Sequence, residues 1–215
     1  MVAMPRPSRA TLLTLASRYR LRVRSAREIA AKSAQIELAY ARVEELSRTD
    51  DLTALPNRRA ILERLALEHT RSQRTGKPLA VALADVDDFK RFNDTLGHDC
   101  GDAVLRAVAS TLRRTVRAID EVGRLGGEEF LLVLPDTDLD GARLAAERAR
   151  ASVEATAIDW REHRIRVTIT VGVCVSEDET PESTLRKADQ AMYRGKHNGK
   201  NRVETASRAQ STRTA

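Results

Sequence analysis

The sequence predicts an α/β (α+β) fold: a mixed, antiparallel-containing β-sheet flanked by helices, with a long helix at the N-terminus. Three observations lead to this prediction. Apolar runs of strand length alternate with segments of helical period after residue 50. A double glycine, Gly126-Gly127, stands between consecutive apolar segments and suits an antiparallel hairpin. The first 48 residues contain no glycine and, after Pro7, no proline, as expected of a continuous helix.

The composition is that of a globular protein of ordinary size. Of its 215 residues, 41% are hydrophobic and 32% are charged, and no apolar stretch is long enough to span a bilayer. We therefore expect a cytoplasmic protein without membrane insertion. Cys100 and Cys174 lie far apart and lack CxxC spacing, which favours two reduced thiols over a disulfide or a zinc site. The net charge of +6 suits a polyanionic partner, but arginines spread along the chain are more typical of a solvated surface.

Residues 1–48 are expected to form a helical stalk. Apolar residues recur every seven positions at Ile29, Ile36 and Val43. Ala39 and Leu46 follow the last two by three positions and form a second heptad row, but Lys32 occupies the matching position after Ile29. One interpretation is a helix packed along its own domain. The other is a parallel coiled coil that joins two chains into a homodimer. Because few apolar residues face any other direction, the second interpretation is favoured.

A polar break near residue 50 separates this stalk from a globular domain predicted over residues 49–206, and residues 207–215 are expected to form a flexible tail. Within the domain, segments of helical period and apolar strand-like runs follow one another. The predicted helices cover 58–73, 100–116, 139–155 and 181–197, and the predicted strands cover 79–87, 128–135 and 164–176.

Acidic residues follow the strand at 79–87. Asp85 and Asp87 are two positions apart, so on an unbroken strand their side chains would share one face. Carboxylates at the edge of a sheet lie where ligands of such sheets usually bind. The backbone N–H groups of the following turn could hold a phosphate, with Lys90 adding a positive charge. The alternative is an ordinary solvated strand end.

A second acidic pair, Glu128-Glu129, stands between the double glycine and an apolar strand. Successive strand residues point to opposite faces, so both carboxylates can reach one ion only from within a turn. The glycines favour such a turn, and hard oxygen ligands favour Mg²⁺. Two acidic clusters on strands that could be neighbours favour a metal site over surface solvation.

These residues resemble the GGDEF family of diguanylate cyclases. The sequence GGEEF at 126–130 is a variant of the motif that names the family. DDLTALPNRR at 50–59 is similar to the family's opening motif, with Ala54 in place of glycine. DVDDFKRFNDTLGHDCGDAVL at 85–105 matches the central motif at every fixed position, and ADQAMYRGKHNGKNR at 188–202 resembles the closing motif. Four motifs in the right order argue strongly against coincidence.

The resemblance implies a fold like the palm of polymerases and class III nucleotide cyclases. It also implies that each domain holds one GTP and that two domains meet face to face. Each 3′-hydroxyl attacks the other α-phosphate, giving cyclic di-GMP and two pyrophosphates. Two Mg²⁺ ions per active site, or Mn²⁺, would be held by Asp85, the Val86 carbonyl and Glu128. Glu129 is either a further ligand or assists the attacking hydroxyl, and the general base stays open among these three catalytic carboxylates.

The resemblance also assigns the substrate contacts. Asn93 and Asp102 match the guanine readers, and a carboxylate can accept from the N1–H and the exocyclic amine of guanine together. A subgroup with relaxed base choice departs from the family at the position of Asp102, so its presence here favours GTP. Lys200 replaces the family's usual arginine, which keeps the charge but loses the bidentate fork. The other implied substrate contacts are Asp88, Phe89, Lys90, His98 and Lys196, although for His98 a structural role as a cap or buried hydrogen-bond partner is favoured.

A second nucleotide site is implied by Arg117 and Asp120, an Arg-x-x-Asp pattern that ends shortly before GGEEF. In the family this spacing marks an inhibitory site for the product, cyclic di-GMP. By itself the pattern is most often a helix-end ion pair, so the interpretation depends on its position. Arg148 resembles a secondary arginine of this site, with a solvated surface arginine as the alternative.

Two other functions stay open at this point. The chain could be a catalytically silent receptor that binds GTP or cyclic di-GMP, although the intact GGEEF turn and Asp85 favour an active cyclase. A nucleic-acid-binding protein is supported only by net charge and fits none of the motifs, so no nucleic acid is expected as a partner.

Overall fold

The computed structural model describes Lys32, Gln35, residues 48–177 and residues 180–206. Lys32 and Gln35 are both helical and exposed. The rest of the predicted stalk up to Ser47, and the predicted tail at 207–215, lie outside the described residues. The chain divides into two units after Ser47, and every strand of the described residues belongs to the second unit.

This second unit contains a five-stranded sheet in the order β2-β3-β1-β6-β7. Strand β1 pairs antiparallel with both β3 and β6, whereas β6 and β7 run parallel. The sheet is therefore mixed and lies between helices, which confirms the predicted fold class. The elements are α1 Arg58–Thr75, β1 Leu79–Val86, α2 Phe89–Leu96, α3 His98–Thr115, β2 Glu121–Gly126, β3 Glu129–Pro135, α4 Leu139–Ala155, β4 Ile158–Trp160, β5 His163–Ile165, β6 Ile169–Ser176, α5 Pro181–His197 and β7 Val203–Thr205.

The central strand β1 is buried along its whole length because helices cover both faces of the sheet. Side chains alternate between the faces along a strand. Ala82 and Ala84 therefore pack into one core, which includes Val104 of α3 and Ala146 of α4. Val81 and its alternate neighbours pack into a second core with residues of α1 and α5. This burial on both sides explains why β1 is an apolar run rather than an alternating one.

Glycine allows α5 to lie close against β6. A Cβ atom on Gly172 would stand 2.0 Å from the Ala188 carbonyl oxygen and 2.3 Å from the Met192 amide nitrogen. Any larger residue at this position would therefore push the helix away from the sheet. This contact fixes α5, and with it the residues that follow its C-terminal end.

Two predicted helices have the expected bounds, and each begins at a clear N-terminal capping signal. The Asp138 side chain accepts from the Gly141 N–H at 2.9 Å and begins α4. Thr180 caps α5 in the same way, followed by proline at the first helical position. Among the described residues, no helix is both long enough and apolar enough to cross a membrane.

The prediction of one strand over 164–176 is wrong. The chain forms a separate β4-β5 hairpin, and the sheet strand β6 begins only at Ile169. Between them, the Thr168 carbonyl accepts from the Asp87 N–H at 2.9 Å. The intervening residues thus leave the β ladder to bind the loop after β1. Helix α2 and the short strands β4 and β7 were not predicted, since none carries a long apolar period. Strand β2 was expected only as the partner in a hairpin around the double glycine, and it does pair antiparallel with β3.

Candidate active site

Two neighbouring strands bring the predicted metal ligands to one corner of the sheet. Asp85 on β1 lies directly opposite Glu129 on β3 in the antiparallel register. The next residue, Val86, donates its N–H to the Glu128 carbonyl at 3.3 Å. The sequence-predicted carboxylates are therefore adjacent in space, although they are separated by about forty positions in the chain.

The glycine turn before Glu128 adopts backbone conformations that suit glycine. Gly126 and Gly127 have φ values of 143° and 53°, the second in the left-handed region that residues with a Cβ disfavour. Arg124 holds this turn in place, because its Nε and Nη2 donate to the Gly127 carbonyl at 3.1 and 2.7 Å. Its Nη1 also reaches both carboxylate oxygens of Asp50, at 3.1 and 3.2 Å. Sequence reasoning did not identify Arg124, although it stands just before the GGEEF segment.

The corner is electrostatically unfavourable for several negative charges at once. Burial raises the pKa of Asp85, and the nearby Lys196 partly opposes this, with its Nζ 2.7 Å from the Asp85 carboxylate. Burial also raises the pKa of Glu128 and of Glu129, and the charge of Asp85 adds to both shifts. A cation at this corner would relieve that repulsion.

The donor set at this corner is made of carboxylate and carbonyl oxygens, which is the chemistry that Mg²⁺ and Mn²⁺ prefer. In the described part of the chain, no three acidic, histidine or cysteine side chains already converge in a metal-binding cluster. Instead, the Lys196 ammonium group forms an ion pair with Asp85 Oδ2 at 2.7 Å. The residues thus fit a magnesium-type ion by chemistry. Lys196 contacts only one oxygen of Asp85, Oδ2, and the carboxylate has a second oxygen that can bind an ion.

Asp87 has a structural role rather than a ligand role. Strand β1 ends at Val86, so the unbroken strand that would align Asp85 and Asp87 does not exist. The buried Asp87 carboxylate accepts from Thr168 Oγ1 at 2.7 Å and Thr170 Oγ1 at 2.6 Å. It also accepts from the Asn201 N–H at 3.0 Å. These bonds fix the backbone just after the proposed Val86 ligand.

The predicted guanine readers lie on two consecutive helices, α2 and α3. Asn93 packs closely against Gly101. If residue 101 had a Cβ atom, that atom would stand only 1.9 Å from Asn93 Oδ1. That oxygen is buried and has no hydrogen-bond partner within the described ranges. Asp102 is half exposed, with its carboxylate 3.9 Å from Arg106 Nη2. The two helices therefore carry a buried amide oxygen without a partner among the described residues and an accessible carboxylate.

The N-terminus of α2 carries three of the predicted substrate residues. Asp88 has a φ of 55° and leaves the first turn of α2 without a side-chain cap. The Arg91 N–H donates to the Asp88 carbonyl at 2.9 Å, and the N–H groups of Phe89 and Lys90 are left to an anion. Phe89 is buried in the core, and only its backbone is placed to contact substrate. Lys90 is exposed. His98 is exposed at the first position of α3, so the alternative of a buried hydrogen-bond partner is wrong.

Lys200 lies opposite the same helix end. Its Nζ is 2.6 Å from Asp88 Oδ1, and this hydrogen bond raises the pKa of Lys200. Lys196 and Lys200 therefore bring two positive charges to the carboxylates that end β1 and begin α2. The arrangement is compatible with their predicted role as phosphate ligands.

The predicted inhibitory site forms a compact turn between α3 and β2. Asp120 Oδ2 accepts from the Arg117 N–H at 2.9 Å, while Asp120 Oδ1 is buried without a hydrogen-bond partner in the described part of the chain. Both residues line a cavity of about 620 Å³. Arg148 stands next to this turn, and its Nε and Nη2 donate to the Thr115 carbonyl at 3.0 and 2.8 Å. Arg117 and Asp120 are thus brought together, and Arg148 instead closes the C-terminal end of α3.

Comparison with known proteins identifies the family. The family model described as "Diguanylate cyclase, GGDEF domain" matches residues 47–202. The chain belongs to the GGDEF family. Over 159 residues it is 43% identical to diguanylate cyclase DgcP of Pseudomonas aeruginosa. This match covers 74% of the chain and 24% of DgcP.

Solved structures of the family share this fold. Diguanylate cyclase SiaD of P. aeruginosa, in complex with its activator SiaC, gives a TM-score of 0.73 at 39% identity, covering 92% of this chain and 78% of that chain. The GGDEF domain of DgcB from Caulobacter crescentus, in complex with c-di-GMP, gives 0.71 at 33% identity, covering 74% of this chain and 93% of that chain. The chain spans only 24% to 36% of the length of the curated relatives with which it shares 43% to 44% identity.

Proposed function

We propose that this protein is a diguanylate cyclase that condenses two GTP molecules into cyclic di-GMP and two pyrophosphates. The observation that carries this proposal is the pairing of Asp85 with Glu129 across β1 and β3, next to the Val86–Glu128 backbone bond. The pairing places three carboxylates at one edge of the sheet, beside the helix N-terminus at Asp88. Membership of the GGDEF family supports the same reaction.

The reaction needs a 3′-hydroxyl in line with an α-phosphate and neutralisation of the phosphate charge. Asp85, the Val86 carbonyl and Glu128 would hold Mg²⁺ or Mn²⁺, with Glu129 as a further ligand or as the group that assists the hydroxyl. Two such ions per site, when bound, would polarise the phosphates and lower the pKa of the attacking hydroxyl.

The chain's own residues position the nucleotide. Asn93 and Asp102 read the guanine edge, since the buried Asn93 oxygen has no protein partner in the described ranges and Asp102 is accessible. A buried acceptor without a partner is costly, so a rotation of the Asn93 amide toward guanine would be favourable. Lys196 and Lys200, which contact Asp85 and Asp88, would bind the phosphates with their remaining N–H donors. The N–H groups at the start of α2 add partial positive charge.

A homodimer is part of the proposal because each GTP must attack the other. The two copies would be joined through the N-terminal helix, and the protein would act in the cytoplasm. Mixing experiments test this with a 1:1 mixture of wild type and an inactive Glu128→Ala variant. About half of the wild-type subunits would then lie in mixed dimers. These cannot form both phosphodiester bonds, so the activity per wild-type subunit should fall by about half. Activity proportional to the wild-type share alone would contradict the dimer.

Product inhibition at Arg117 and Asp120 completes the proposal. Arg117 and Asp120 line one cavity, and a guanidinium and a carboxylate together suit a phosphate and a guanine edge. Arg148 would join this site only by releasing the Thr115 carbonyl.

Site variants test the catalytic assignment. Glu128→Ala should abolish cyclic di-GMP formation from GTP and Mg²⁺, measured by liquid chromatography. Glu162→Ala, at an exposed position in the β4-β5 turn, is the matched control and should keep wild-type activity. An active Glu128→Ala variant would overturn the assignment.

A further inference from the structure

The loop between α5 and β7 carries Lys200 in an unusual backbone conformation. Gly199, Lys200 and Asn201 have φ values of 111°, 60° and 45°, all in the range that L-residues disfavour. Left-handed conformations cost free energy for residues with a Cβ, although asparagine tolerates them better than most. Two such residues in succession require contacts that hold the loop in this shape.

Asn201 supplies most of these contacts. Its N–H donates to Asp87 Oδ2 at 3.0 Å, and its Nδ2 donates to Glu154 Oε1 at 2.7 Å. Its Oδ1 accepts from Arg150 Nη1 at 2.7 Å. A single asparagine thus ties the loop to the end of β1 on one side and to helix α4 on the other.

Arg150 is rigidly held on α4. Its side chain is only 14% exposed. Nε and Nη2 donate to Glu147 Oε1 at 2.8 and 2.6 Å, and Nη1 donates to Glu154 Oε2 at 2.7 Å. Because Glu147 and Glu154 lie one helical turn before and after Arg150, the three side chains form one face of α4. We call Glu147, Arg150 and Glu154 the α4 platform.

The loop held by this platform presents the proposed phosphate-binding lysine. The Lys200 N–H donates to the Gly195 carbonyl at 3.0 Å, and its Nζ lies 2.6 Å from Asp88 at the start of α2. The other side of the Asn201 link is Asp87, two residues after the proposed metal ligand Asp85. Movement of Asn201 would therefore disturb both the lysine and the backbone that follows β1.

We propose that Asn201 and Arg150 are positioning residues for the triphosphate of GTP, acting through Lys200 and Asp87. The proposal rests on the proposed function for the identity of the ligand. Neither residue is expected to touch the reacting atoms. Their loss should weaken binding of the triphosphate more than it slows the chemical step.

The first test separates KM from kcat. Asn201→Ala should raise the KM for GTP by about five- to tenfold, the scale of one ordinary hydrogen bond, with a smaller change in kcat. A non-hydrolysable GTP analogue with Mg²⁺ should bind more weakly by a similar factor in calorimetry. Arg143→Ala, at an exposed position on the same helix, is the control and should leave both values unchanged.

A charge exchange provides the second test. Asn201→Asp keeps the acceptor for Arg150 and tolerates a positive φ, but it places a carboxylate against Glu154, so analogue binding should weaken. Adding Glu154→Gln restores a donor opposite the new carboxylate, and the double variant should regain analogue affinity to within about twofold of wild type. A merely structural role would change the melting temperature without this loss and recovery of affinity.

The outcomes separate the two proposals. Unchanged analogue affinity in Asn201→Ala and Asn201→Asp overturns the positioning role even if the wild type makes cyclic di-GMP. Weakened affinity that the double variant does not recover contradicts the proposed contact with Glu154. A wild type that makes no cyclic di-GMP overturns the proposed function, while the analogue titrations still decide whether this loop positions a triphosphate.

Discussion

Replacing Arg124 by alanine should both destabilise the domain and loosen the glycine turn before Glu128. The Arg124 side chain is 14% exposed and its partner Asp50 is 23% exposed. Arg124 connects the Asp50 loop, where the globular unit begins, with the Gly127 carbonyl that shapes the turn before Glu128. Its removal leaves the Asp50 carboxylate with the bonds that Thr53 donates.

The magnitude follows from these contacts. A hydrogen bond to a charged group contributes about 1.5–3 kcal/mol, whereas an exposed ion pair contributes about 0–1 kcal/mol. The pair of Arg124 and Asp50 is mostly buried, so its loss should cost about 2 kcal/mol of stability. The Gly127 carbonyl, which accepts from both Nε and Nη2 of Arg124, adds about 1 kcal/mol. We expect Arg124→Ala to lower the free energy of unfolding by about 3 kcal/mol, and Arg124→Lys to lose less because it keeps the charge.

Urea unfolding at several pH values measures this effect. Burial alone would raise the pKa of Asp50, but the bonds from Thr53 and Arg124 outweigh it and hold the pKa below its ordinary value. A depressed pKa means that the stabilisation is present above the unfolded value and is lost as the pH falls through the folded value. The difference between wild type and Arg124→Ala should thus be constant from about pH 5 to 8 and shrink below about pH 4.

The reasoning is refuted if Arg124→Ala loses less than about 0.5 kcal/mol at pH 7, the level of an ordinary surface substitution. It is also refuted if the loss does not shrink in acid. The accompanying prediction is a reduced rate of cyclic di-GMP formation at saturating GTP, because the Glu128 backbone is then less firmly placed.

Three further predictions concern single residues. Ala54 has a φ of 55°, so Ala54→Gly should stabilise the domain by about 0.5–1 kcal/mol, seen as a higher urea midpoint; an unchanged or lower midpoint contradicts the strain. Gly172→Ala should destabilise it by about 3 kcal/mol or more, since the new Cβ would stand 2.0 Å from the Ala188 carbonyl oxygen; wild-type stability would show that α5 can move away at little cost. Arg117→Ala should relieve inhibition by cyclic di-GMP in initial-rate assays and weaken product binding in calorimetry, and unchanged values for both would remove the inhibitory site from the proposal.

The corner of the candidate active site could be predicted from the sequence because its signals are local. Asp85 stands at the end of an apolar run, and Glu128 and Glu129 begin another after a glycine turn. Strand-length apolar runs specify where strands end, so the acidic residues fall at an edge of the sheet. The exact pairing of Asp85 with Glu129 required the register, which depends on packing across the whole sheet.

The contacts that hold the Lys200 loop could not be predicted in the same way. Arg150 and Asn201 are about fifty positions apart, and each fits an ordinary local pattern, a helical arginine and a turn asparagine. Only the packing of α4 beside the end of β1 brings them together. The same limit explains the break before β6, where the carbonyl of Thr168 binds the backbone of Asp87 rather than a neighbouring strand.

The most direct test of the central claim is the product that forms from GTP. The purified protein, incubated with GTP and Mg²⁺, should yield cyclic di-GMP identified by mass spectrometry, with two GTP consumed and two pyrophosphates released per product. ATP in place of GTP should give no cyclic dinucleotide, because Asn93 and Asp102 are proposed to read guanine. The absence of cyclic di-GMP at micromolar protein, with GTP still bound, would contradict the account and indicate a nucleotide receptor instead.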